Sequence, residues 1–253
     1  MHLRRSANHI AWRVGNLLLP SFRAVTPITP AAEQARAVIV SFYMRNIASS
    51  VVSAQRQVLE RFTPADVAIA QIRTRLIHSD SINLFLRTTK YATVLFLDID
   101  CIPIRPGAIE ALLSRAEAGY LAGSAQRSNH IDNGRHVYVA PSCMAISRET
   151  YDKLDRPSAA KTSRGDVAEE FTYAAEERGL PVDIHRPVQA EELLWPLKRE
   201  QLEYGRGTTF ENGFWHLFFS RDLDSQRQFV RRCDQVLANE EQRRHEARRV
   251  SAS

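Results

Sequence analysis

Between residues 37 and 104 the chain alternates short apolar runs with longer amphipathic stretches. Ala37-Val38-Ile39-Val40-Ser41-Phe42-Tyr43 reads as a first strand, and Val51, Val58 and Leu59 line one face of a helix predicted from about Ile47 to Phe62. Thr63-Pro64 resets the chain, and Asp66–Ile72 predicts a second strand. A helix carrying Ile82, Leu84, Phe85 and Leu86 follows, with Ser79 or Asp80 placed to cap it. Thr93-Val94-Leu95-Phe96-Leu97 then runs straight into Asp98-Ile99-Asp100. Strand, helix, strand, helix, strand is a doubly wound half-sheet, and a continuous apolar run marks its third strand as buried on both faces.

The pattern continues less regularly. Pro106-Gly107 opens a helix with Ile109, Leu112 and Leu113 inward; Tyr120–Gly123 and His136–Ala140 read as strands flanking a polar loop at 126–135. Ser142–Ser147 predicts another short strand, and Ser147 caps a helix over Arg148–Leu154, with Thr150 as a competing cap. After a polar loop at 155–165, Asp166 opens a helix to Arg178, closed by Gly179 in the left-handed conformation. Pro181–His185 is read as the last strand. Residues 198–221 read as a loop with Gly205, Gly207 and Gly213 that ends in Phe214-Trp215-His216-Leu217-Phe218-Phe219. The division expected is a basic lead-in and proline linker over 1–36, one α/β domain over 37–221, and a charged helix with an arginine-rich tail over 222–253.

Composition narrows the function classes. The 253 residues are 44% hydrophobic and 25% charged, the mix of an ordinary globular protein. The net charge of +5 gathers at the two ends and no basic patch is interleaved with aromatics, so no nucleic-acid partner is expected. The basic residues are nearly all arginine, which suggests a GC-rich, bacterial coding sequence. Cys101, Cys143 and Cys233 are widely spaced and form no Cys-x-x-Cys pair, which fits a reducing cytoplasm rather than a disulfide or zinc scaffold. No apolar run approaches the roughly eighteen residues of a membrane span. The stretch ending at Leu17-Leu18-Leu19-Pro20 lacks a small-residue cleavage site and makes a poor signal peptide. Ile10, Val14, Leu17 and Leu18 share a helical face among arginines, which allows peripheral contact with the inner face of a membrane as well as packing on the domain.

The chemistry concentrates at Asp98 and Asp100. Positions two apart on a strand point the same way, so both carboxylates are expected at the carboxyl end of a core strand, where open α/β sheets bind ligands. Two like charges there repel unless a cation separates them or one carboxyl keeps its proton, and oxygen ligands suit Mn2+ or Mg2+. An Asp closing a strand also simply begins turns.

In this order and spacing the strand Val38–Tyr43, Asp98-Ile99-Asp100, Ser142–Arg148, Glu170-Phe171-Thr172-Tyr173 with Gly179, and the late His216 resemble the GT-A glycosyltransferases over roughly residues 37–221. The resemblance implies a Rossmann-like, mixed and mostly parallel sheet flanked by helices in a single domain. It implies a nucleoside-diphosphate sugar donor and a glycan or other hydroxyl acceptor, commonly in cell-surface polysaccharide synthesis. Ser41, Phe42, Tyr43 and Arg45 would hold the nucleoside, Asn83 and Asp98 the donor, and Asp100, together with Asp98, the metal bridging the diphosphate. His216 is the third metal ligand implied, with Arg206 or Arg221 on the phosphates; core packing is the plainer account of a histidine among aromatics. Ala168 stands where inverting members carry their catalytic Asp, which leaves Asp166, Glu169 and Glu170 as candidate bases or as ordinary charge compensation at a helix start. Inverting and retaining courses both stay open.

Phe96-Leu97-Asp98-Ile99-Asp100 also resembles the first motif of haloacid-dehalogenase-type phosphatases, with Asp98 as nucleophile. Cys101-Ile102-Pro103 replaces the Gly-Thr expected after it, and two strands precede it. A sugar nucleotidyltransferase would open on a glycine-rich basic loop, which Ser41-Phe42-Tyr43-Met44 is not. A catalytically inactive binding module that keeps the Asp pair is the third alternative.

Overall fold

In the computed structural model the described residues are 35–127, 136–197, 202–218 and 220–251. The lead-in, apart from its last two residues, and most of the 126–135 loop lie outside them. Strands are β1 (Ala37–Tyr43), β2 (Val67–Arg73), β3 (Thr93–Leu97), β4 (Cys101–Pro103), β5 (Leu121–Arg127), β6 (Val137–Ser147), β7 (Val182–His185), β8 (Pro187–Leu197), β9 (Leu202–Phe210) and β10 (Phe214–Leu217). Helices are α1 (Ser49–Phe62), α2 (His78–Thr88), α3 (Ala108–Glu117), α4 (Arg148–Lys153), α5 (Glu169–Glu177) and α6 (Leu223–Ser251).

Six strands form one sheet in the order β2-β1-β3-β6-β5-β7. Every neighbour pair is parallel except those made by β6, so the sheet is mixed and mostly parallel. Alternation along each strand builds two cores. Ala37, Ile39, Leu95 and Leu97 pack with α1, α3 and α6, whereas Val38, Val40, Val94 and Phe96 pack with α2, α4 and α5. Helices therefore cover both faces, as expected. Because β1, β2 and β3 are parallel, the loops after Tyr43, Arg73 and Leu97 meet at one edge.

Several local expectations change. Pro181–His185 is not the last strand: β8 and β9 pair antiparallel, and a second sheet runs β4-β10-β9-β8. The stretch expected as a glycine-rich loop contains β9 and β10, and the two glycines of β9 serve close approach. A Cβ on Gly205 would sit 2.1 Å from the Glu191 carbonyl oxygen, and one on Gly207 2.9 Å from the Trp215 ring. The strands read at 136–140 and 142–147 are one, β6, which runs through Pro141. α2 starts at His78 with Ile77 as its cap residue, so neither Ser79 nor Asp80 caps it. α5 starts at Glu169, behind Ala168 in the left-handed conformation (φ 63°), so Asp166 precedes the helix instead of opening it. Ser147 does cap α4, accepting from the Thr150 N–H. α6 is no mere tail, because Phe229, Cys233 and Val236 belong to the core on α1. Among the described residues no helix is long and apolar enough to cross a membrane.

Candidate active site

β3 ends at Leu97, so Asp98 and Asp100 stand in a turn rather than on the strand. The turn closes through the Cys101 N–H on the Asp98 carbonyl at 2.9 Å and is tied to β6 by the Asp98 N–H on the Ser142 carbonyl at 2.9 Å. The carboxylates still converge, because Cys101 enters the second sheet at once. There it lies opposite His216, and the Leu217 N–H donates to the Asp100 carbonyl at 3.0 Å. His216 Nε2 consequently lies 3.3 Å from Asp100 Oδ1 and 3.8 Å from Asp98 Oδ2. His78, the first residue of α2, brings Nε2 to 3.6 Å from Asp98 Oδ1. The side chains of Asp98, Asp100 and His216 are 29%, 11% and 7% exposed, so the cluster opens to solvent through Asp98.

The two carboxylates respond differently. Burial raises the pKa of Asp98, and the neighbouring Asp100 adds to the rise against the opposing pull of His78 and His216. Burial also works against ionisation of Asp100, but His216 and a hydrogen bond from Ser220 outweigh it and hold Asp100 below its ordinary value. His216 is the reciprocal case: burial disfavours its cation, and Asp100 and Asp98 more than restore it.

Two cavities meet at this cluster and share His78, Asp98, Asp100, Ser220 and Arg221. The smaller, about 270 Å³, is lined by Phe42, Tyr43, Met44, Asn46 and the 74–77 loop. The larger, about 660 Å³, is lined by Gln126, Tyr138, Ser142, Asp166, Phe218 and Asp222.

The residues singled out from the sequence divide accordingly. Phe42 and Tyr43 line the smaller cavity; Phe42 also packs edge-on against Phe85 at 6.0 Å between ring centroids. Ser41 is fully buried and Arg45 is exposed, and neither lines either cavity. Asn83 lies apart as well, accepting from the Ala159 N–H at 2.8 Å and donating to Ser158, so it fastens the 155–165 loop. Arg206 faces Glu192 at 3.0 Å and donates to Ser225. Of the three acids near α5, only Asp166 lines a cavity. Glu169 is fully buried between the His136 ring, 2.6 Å away, and the Asp166 N–H, and Glu170 is clamped by Arg164 and Thr162.

Sequence reading missed His78, Tyr138 and Ser220. The rule that ligands gather beyond the carboxyl ends of parallel strands pointed to His78, which follows β2 by a short loop. Tyr138 carries no such signal, since its place depends on β6 running antiparallel beside β3.

No protein-family model and no curated protein matches the chain. Among solved structures it is similar to A197 from STIV, with TM-score 0.40 and 14% identity over 72% of this chain and 93% of that one. It is similar to the mannosyltransferase PcManGT from Pyrobaculum calidifontis, in complex with GDP-Man and Mn2+, with TM-score 0.43 and 10% identity over 72% of this chain and 64% of that one. A mutant of the Drosophila beta-1,4-galactosyltransferase 7, in complex with manganese, UDP-Gal and xylobiose, aligns with TM-score 0.42 and 14% identity over 74% of this chain and 72% of that one. Likenesses this distant decide neither fold nor activity, so the reading of the site rests on its own geometry.

Proposed function

We propose that this chain is a metal-dependent glycosyltransferase of the GT-A type, moving a sugar from a nucleoside-diphosphate sugar to a hydroxyl acceptor. The observation that carries the reading is the convergence of Asp98, Asp100 and His216 where the two cavities meet. One ligand atom from each lies within 4.8 Å of the others, and two carboxylates with an imidazole are a fitting donor set for Mn2+ or Mg2+. When bound, such a cation supplies charge neutralisation to a departing diphosphate. The chain's own residues supply the rest. Phe42 and Tyr43 offer aromatic and apolar surface to the nucleoside in the smaller cavity. Arg221, on the rim of both cavities, faces the diphosphate. Asp166 is the base that takes the acceptor's proton in the larger cavity, and Lys161 Nζ pairs with Asp166 Oδ1 at 3.1 Å.

Asp166 in this role implies inversion, and the anomeric configuration of the product relative to the donor is its measure. For the compartment we propose a reducing cytoplasm with the basic termini against the inner membrane face; the support is three buried free cysteines and the end-weighted charge. A cell-surface glycan is the acceptor class proposed, and its support is the reaction class alone.

Calorimetric titration of UDP and GDP, each with and without Mn2+, tests the reading. The expected result is binding of one nucleotide that requires Mn2+ and disappears in Asp100→Asn. Indifference to both metal and substitution would sink the proposal. An aspartyl-phosphate at Asp98 formed from small phosphoesters would transfer the assignment to a phosphatase.

A further inference from the structure

Two buried glutamines stand behind the aspartate turn. Gln55, on α1, is fully buried, and its Nε2 donates to the Asp98 carbonyl at 2.7 Å and to the Cys101 carbonyl at 3.0 Å. Those carbonyls bracket the turn that carries both carboxylates. Gln55 Oε1 accepts in turn from Nε2 of Gln71, on β2, at 2.9 Å, and the same nitrogen reaches the Val52 carbonyl at 2.9 Å. Gln71 is 2% exposed, so water does not compete for these bonds. Exchanging the nitrogen and oxygen of Gln55 would set oxygen against two carbonyls, which leaves its amide a single orientation.

This arrangement answers a physical difficulty. Asp98 and Asp100 repel one another, and on a free turn they would splay until a cation drew them together. The work of closing them would then be subtracted from cation affinity. A neutral amide on the backbone of the turn restrains them beforehand and adds no charge to the cluster. We infer that Gln55, oriented by Gln71, is a positioning residue for the cation site, holding the Asp98–Cys101 turn so that the carboxylates stay converged before a divalent cation arrives. The inference rests on the metal reading of that cluster.

The test uses Mn2+ alone, followed by the paramagnetic resonance signal of the free ion. It compares the wild type with Gln55→Met, Gln71→Met, the double variant and Asp100→Asn. The wild type is expected to bind and Asp100→Asn to lose binding. Gln55→Met should weaken binding about 10-fold, as loss of an outer-shell partner of a metal site does. Gln71→Met should weaken it less, and the double variant no more than Gln55→Met, because on this inference Gln71 reaches the turn through Gln55. Thermal unfolding accompanies each titration. A lowered Tm with wild-type Mn2+ affinity would mean a purely structural role and overturns the inference, as do losses that add in the double variant. Should Gln55→Met fail to fold, Gln71→Met decides, and wild-type affinity there overturns it. A wild type that leaves Mn2+ free defeats the metal reading, and the inference falls with it. Binding lost in Asp100→Asn but intact in Gln55→Met defeats the inference alone.

Discussion

Three acids crowd the start of α5, and their surroundings assign them different work. Glu170 accepts from Arg164 and Thr162, which hold its pKa down against the effect of burial, and it lines neither cavity. Glu169 is fully buried and spent on His136 and the Asp166 N–H. Asp166 alone reaches the larger cavity. With donor saturating, Asp166→Asn is expected to lower the rate of transfer by roughly 10²–10⁴-fold, the usual contribution of a general base. Nucleotide binding should stay unchanged, and Glu170→Gln should keep near wild-type turnover. Equal losses in the two variants would remove Asp166 from its special place. The sequence named these three acids but could not rank them, because the ranking turns on the left-handed Ala168, a conformation an alanine gives no hint of. Asp98 and Asp100 were legible because carboxylates closing an apolar run are a local pattern, and His216 was reached through the family resemblance and the glycine-rich stretch before it. Gln55 and Gln71 were not, since a glutamine inside a helix or strand looks the same whether it faces water or a buried carbonyl.

At the scale of elements, His136, the residue before β6, ties the start of that strand to α5. Its Nδ1 lies 2.6 Å from Glu169, its Nε2 3.3 Å from Glu176, and its ring stacks on Tyr173 at 4.0 Å between centroids. Burial disfavours the imidazolium, but Glu169 and Glu176 outweigh it and raise the pKa above 6.5. A raised folded value means that the pairing contributes its full stability below the unfolded pKa of about 6.5 and loses it as pH climbs through the folded one. Thermal unfolding of His136→Gln against wild type should show a gap in acid that closes at alkaline pH; a gap widening with pH would contradict the pairing. Gly207→Ala tests the second sheet. The added methyl meets Trp215, next to His216, so we expect a loss of about 1–3 kcal/mol in urea unfolding. Unchanged stability would mean that β9 and β10 are not so closely apposed. The parallel half of the main sheet was readable from its apolar runs, whereas β8 and β9 were not. Glu191 and Glu192 interrupt the one strand, and glycines that permit close contact in the other resemble glycines that permit a loop.

For the molecule as a whole, α6 belongs to the fold through its first half. Gln226 accepts from the Ala48 N–H and donates to the Asn46 carbonyl, both at 3.0 Å, so this helix supports the start of α1 beside the smaller cavity. Phe229, fully buried and stacked on Trp215, should cost about 3–5 kcal/mol when replaced by alanine. Removal of residues from 245 onward, exposed through 249 and leaving the Arg244–Glu240 pair in place, should leave the urea midpoint nearly unmoved. The reverse ranking would place the helix outside the cooperative unit. The pairing of His216 with Cys101 also orders events in time. A chain leaving the ribosome presents Asp98 and Asp100 long before His216 emerges, and a domain folds as a unit once its parts are available. During that interval the nascent protein holds two aspartates with no imidazole between them, while the second sheet still lacks the strand that closes it. The cluster is therefore completed only after β10 has been made, and a message cut short before it yields a polypeptide that never assembles the site and lacks the part of the core that Trp215 and Phe229 supply.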